Sequence, residues 1–139
     1  MANQTTSKGV HITLWVLQVA LAGMFLMAGS SKLFNSIEEL SKMLPWVMQV
    51  PAGLVRFIGL SELLGGVGLI LPSALRIRPH LAVVAAYGLG LVQVLAAIFH
   101  ITRGETEVLG FNAVLLLIAI IIGWGRSSKA PITPKGADA

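Results

Sequence analysis

Apolar residues run through the chain in four stretches, 12–29, 52–71, 81–99 and 108–124, separated by polar or proline-bearing connections. A bilayer's hydrocarbon core is crossed by roughly 20 mostly apolar helical residues, with about 17–25 tolerated. Each stretch meets that requirement, so the pattern predicts an all-α integral membrane protein, a four-transmembrane-helix bundle. The connection 30–51 is the longest. Within it Ser36-Ile-Glu-Glu39 has the form of a capping box leading into Leu40, Met43 and Leu44, which predicts a short interfacial helix between helices 1 and 2. The apolar segment 45–51 is too short to cross and is expected on the outer rim as a lid or partner contact.

Polar residues inside these stretches recur at helical spacing. Gln18, Ala22, Phe25, Gly29 and Lys32 step by four, three, four and three, and Ala86, Gly90, Gln93, Ala97 and His100 repeat those steps in the third stretch. Such steps hold one helix face. Gly59, Glu62 and Gly66 in the second stretch, and Asn112, Ala119 and Gly123 in the fourth, likewise set a polar group among small residues. Small residues let helices approach closely, so these stripes are expected to face the bundle while Leu, Ile and Val faces meet lipid.

Composition agrees with the pattern. The 139 residues are 55% hydrophobic and 12% charged, with a mean hydropathy of +0.84. That is too apolar for a water-soluble domain of this size. A net charge of +4 would suggest nucleic acid in a soluble protein. Here the basic residues sit at the ends of apolar runs and read as membrane anchors, with no nucleic acid partner expected. The absence of cysteine excludes disulfides, CxxC redox pairs and thiolate metal sites. One histidine and one carboxylate without a local ligand motif fall short of a metal site, and none is expected.

Four crossings put both tails and the 72–79 loop on one side with Lys8, Arg76, Arg78, Arg126, Lys129 and Lys135. The other side carries Lys32, Lys42, Arg56 and Arg103. Six basic residues against four favour cytoplasmic termini, in a membrane expected to be the bacterial inner membrane. The first stretch could be read as a cleaved signal peptide, but it is long for one, and Gln18 and Lys32 share the stripe pattern of the other stretches. The expected organisation is a cytoplasmic tail over 1–11, one membrane domain over 12–126, and a disordered cytoplasmic tail over 127–139, rich in Ser, Pro, Lys and Gly.

This topology gathers Lys32, Glu62, His100 and Asn112 in the outer half of the bundle, with Gln18 and Gln93 as secondary polar lining nearer mid-depth or the inner half. Each has a plainer reading. Lys32 can snorkel to headgroups, His100 can serve a helix C-terminus, and Asn112 can join helices. For Glu62 two readings stand, an ion pair with Lys32 or a binding and proton-handling role.

The segments Phe25-Leu-Met-Ala-Gly-Ser-Ser-Lys32, Gly59-Leu-Ser-Glu62, Ala96-Ala-Ile-Phe-His100 and Asn112, in that order, resemble the DoxX-like family from Trp15 to Arg126. The resemblance implies a four-helix membrane bundle with Lys32, Glu62, His100 and Asn112 as its characteristic polar positions. It leaves catalytic activity open. The founding members are membrane subunits associated with thiosulfate:quinone oxidoreduction, and some distant relatives look like assembly factors. Three functions follow as expectations: an accessory subunit whose outer-half pocket binds a lipid or quinone-like molecule; a quinone-reactive subunit drawing electrons from a partner; or a scaffold for a larger membrane complex. Expected partners are membrane lipids and other membrane subunits or further copies of the chain.

Overall fold

A computed structural model describes residues 6–137. Its long helices are α1 (Lys8–Phe34), α3 (Ala52–Leu75), α4 (His80–Thr102) and α5 (Leu109–Trp124), with a short α2 (Ile37–Ser41) between the first two. All four apolar stretches are long enough and apolar enough to cross a membrane. Helix α1 has 27 residues, about 40 Å at 1.5 Å per residue. That exceeds a hydrocarbon core of about 30 Å, so its ends reach the headgroup zone.

The helices pack in chain order, α1 on α3, α3 on α4 and α4 on α5, and only a slight α1–α5 contact closes the ring. Leu21, Phe25, Leu69, Leu89, Leu115 and Ile122 fill the centre. Val84, Leu91, Leu117 and Ile120 stand exposed on the outside. In water such a surface would drive aggregation, whereas lipid tails solvate it as well as another leucine would.

Two ends can be distinguished. At the terminal end lie the start of α1, the α3–α4 turn and the C-terminal segment, with Thr6 Oγ1 donating to Lys129 O at 3.3 Å. At the loop end lie α2, a 3-10 turn over Pro45–Gln49 and the α4–α5 connection. Ser36 caps α2 by accepting from Glu39 N at 3.1 Å, as the capping-box spacing predicts. The following turn buries Val47 against Leu40 and Val55 in a second small core. Trp46 meets Phe99 edge-on at 5.7 Å between centroids, so the 45–51 segment is fastened to the end of α4.

Two boundaries differ from the sequence expectation. Helix α1 begins at Lys8, not Ile12, because polar residues at a helix end cost little outside the hydrocarbon layer. The segment from 127 onward, expected to be disordered, is ordered through Ala137: α5 runs into a π-helical turn over Gly125–Lys129, and the chain then folds back on Arg76. Lys135 N donates to Arg76 O at 2.8 Å, and Arg76 Nε donates to Thr133 O at 2.7 Å. Arg76 can receive this segment because it ends α3 in the left-handed conformation, φ 56°, exposing its carbonyl past the last turn. The remaining residues of the two expected tails, 1–5 and 138–139, lie outside the described residues.

Candidate functional site

The α1–α3 joint is set by two glycines. A Cβ on Gly29 would fall 2.6 Å from Gly59 O, and one on Gly59 would fall 3.0 Å from Gly29 O, so the two backbones touch there. One turn from this crossing lie Lys32 and Glu62. Side chains lean toward the N-terminus of their own helix. In this antiparallel pair Lys32 therefore leans inward from the loop end while Glu62 leans outward to meet it. Lys32 Nζ lies 2.7 Å from Glu62 Oε2, with less than a tenth of either side chain exposed. Arg56, which the sequence suggests as a headgroup anchor, donates from Nη1 to Lys32 O at 2.5 Å and to Asn35 O at 2.7 Å. These are carbonyls that the end of α1 would otherwise leave unpaired.

The other expected positions form separate pairs. Asn112 Nδ2 donates to Gln93 Oε1 at 2.6 Å, buried between α4 and α5. His100 is only partly buried and its Nδ1 lies 2.6 Å from Glu105 Oε2. Arg103 Nε donates to Glu105 Oε1 at 2.9 Å, and Arg103 also reaches Gln49 in the 3-10 turn. The hydrogen bond from Arg103, and after it the one from His100, holds the Glu105 carboxyl below the ordinary carboxylate range. Lys32, Glu62, His100 and Asn112 thus sit in the loop-end half but bond in three pairs, not one cluster. Among the described residues no group of three metal-ligating side chains is found.

Gln18 belongs to a different assembly at the terminal end. Its Nε2 donates to Leu69 O at 2.6 Å and to Ser73 Oγ at 3.4 Å, while its Oε1 accepts from Arg126 Nε at 2.5 Å. Arg126 is only 4% exposed. Its Nη1 donates to Ala130 O at 3.1 Å and lies 3.0 Å from His11 Nδ1, and the guanidinium carbon sits 5.3 Å from the centre of the Trp15 ring. Sequence reasoning treats Arg126 as a basic anchor and does not single out His11. The signal was available: extending the Asn112, Ala119, Gly123 stripe by three reaches Arg126 and puts it on the bundle-facing side. A cavity of about 460 Å³ also lies at this end, with Arg126 in its wall. None of Lys32, Glu62, His100 and Asn112 lines it.

The closely packed glycine crossing, the Lys32–Glu62 pair beside it, His100 at the end of α4 and Asn112 at the start of α5 are the features through which the sequence resembles a known family. No curated protein and no solved structure matches the chain. The sequence model of the DoxX-like family matches residues 16–122, a range that reaches from within α1 to within α5 and includes each of those polar positions, and the chain therefore belongs to the DoxX-like family of integral membrane proteins.

Proposed function

We propose that the protein is a membrane subunit or accessory protein whose Lys32–Glu62 pair, with Gln93–Asn112 on the neighbouring helices, receives the polar head of a lipid or quinone-like molecule in the loop-end half of the bundle. Segment 45–51 covers that half. The observation that carries the reading is the 2.7 Å ion pair inside the spanning segments. Burying two charges costs several kcal/mol, and apolar residues of similar size would hold two helices together at least as well. The pair is a natural hydrogen-bonding place for a carbonyl or hydroxyl headgroup. We further place the termini in the cytoplasm of a bacterial inner membrane, on the six-to-four excess of basic residues at the terminal end.

A second reading makes the same pair a purely structural brace. It is favoured by the pairing itself, since each polar group already has a protein partner. Replacing both Lys32 and Glu62 by Met separates the two. A bundle that accumulates normally but loses a quinone or lipid seen by mass spectrometry with the wild-type protein supports the binding role. Normal accumulation with an unchanged set of co-purified molecules removes it.

A further inference from the structure

The terminal-end cavity has an uneven wall. Val83, Val84 and Ile132 make it apolar, while Arg126, Ser127 and His80 supply polar groups. The Ile132 side of the wall is held in place from outside, since Thr133 and Lys135 are hydrogen-bonded to Arg76. Within this frame the Arg126 guanidinium is fixed on three sides by Gln18, His11 and the Ala130 carbonyl. Its Nη2 is buried with no hydrogen-bond partner among the described residues.

Charge makes this more demanding than an ordinary missing hydrogen bond. The described ion pairs join Lys32 to Glu62 and join His100 and Arg103 to Glu105, all at the loop end. Every partner of Arg126 is neutral or another potential cation. A buried guanidinium without a counter-charge is expensive, and its planar fork suits the oxygens of a phosphate. An apolar wall beside a single uncompensated cation at a helix end, near the membrane surface, matches an amphiphile with an acyl body and an anionic head.

We propose that this cavity binds a phosphate-bearing headgroup, with a phosphate oxygen accepting from the Arg126 guanidinium in its wall and the first part of an apolar chain lying along Val83, Val84 and Ile132. The site is separate from the Lys32–Glu62 pair and does not depend on any function of that pair. Its test is native mass spectrometry of the full chain in a neutral detergent, titrated with dioctanoyl phosphatidylglycerol, with dioctanoylglycerol, which has the same chains and no phosphate, and with inorganic phosphate.

The expected result is binding of the phospholipid at least about tenfold tighter than of dioctanoylglycerol, the scale of one hydrogen bond to a charged group. The advantage should be lost in Arg126→Gln. Since Arg126→Gln also breaks the Gln18 and His11 contacts and could fail to fold, Ile132→Trp provides a second variant that fills the cavity without touching the guanidinium, and it should weaken the phospholipid by a similar factor. Inorganic phosphate that binds as tightly as the phospholipid, in the same Arg126-dependent way, identifies the free anion as the ligand. Equal binding of the two dioctanoyl compounds with no response to phosphate overturns the proposal, as does phospholipid binding unchanged by Ile132→Trp.

Discussion

The Lys32–Glu62 pair illustrates how little a contact distance says about net stability. Removing one partner leaves a buried charge and costs about 3–5 kcal/mol, whereas replacing both by apolar side chains is often neutral. Lys32→Met and Glu62→Met are each expected to lower the thermal midpoint in detergent, and the double variant to recover most of the loss, measured by the temperature at which the protein leaves solution. Glu105 makes a different prediction because it lies outside the spanning helices. Its carboxyl is held below the ordinary value, so its contribution is present above the unfolded carboxylate range near about 4.3 and is lost as pH falls through the lower folded value. Protection of the amides in residues 103–108, taken as the exchange rate relative to the intrinsic rate at the same pH, should fall as the pH drops below that range, and Glu105→Gln should flatten the response. These residues also show the limits of reading a sequence. Stripe spacing identifies Lys32, Glu62, Gln93 and Asn112 as bundle-facing, but pairing depends on side-chain lean and helix rotation, which spacing alone does not specify.

At the level of the helices, the α1–α3 joint is the tightest part of the fold, and its glycines leave no room for error. A Cβ on Gly29 meets backbone atoms of Gly59 and Leu63 at 2.6 and 2.7 Å, and backbone cannot move aside as a flexible side chain can. Gly29→Leu should cost about 1–3 kcal/mol or more from overpacking, seen as reduced accumulation in membranes. Gly110→Ala, where nothing lies within 4 Å of the added carbon, should be tolerated in the same assay. The four long helices, the capped α2 and the bundle-facing stripes were all legible from periodicity, since burial in a bundle obeys a 3.6-residue repeat. The ordered C-terminal segment was not legible: its Ser, Pro and Lys residues carry no periodic signal. Its order rests on backbone hydrogen bonds to Arg76, a residue more than fifty positions earlier.

For the molecule as a whole, an even number of crossings puts both ends of the chain together, and the Thr6–Lys129 contact is consistent with that. Which compartment they face is a separate question that this sequence makes easy to ask, since it contains no cysteine. Single cysteines at Ser36 and Ser128 in intact cells should react with a membrane-impermeant maleimide at Ser36 and be protected at Ser128. The reverse pattern would turn the orientation over and move the loop-end half to the cytoplasmic leaflet.

The slight contact between α1 and α5 has a mechanical consequence. A ring with three firm joints and one weak one deforms like a book opening on its spine: the α1–α3 and α4–α5 hairpins swing apart about the α3–α4 joint. Gln18 and Arg126 stitch the fore-edge at the terminal end, while at the loop end Trp46 on Phe99 and Arg103 on Gln49 tie the 45–51 segment to α4, so the seam left without a hydrogen bond among the described residues is the one between α1 and α5 at the loop end. A cysteine pair bridging these two helices near the loop end would hold the book shut without altering any polar side chain.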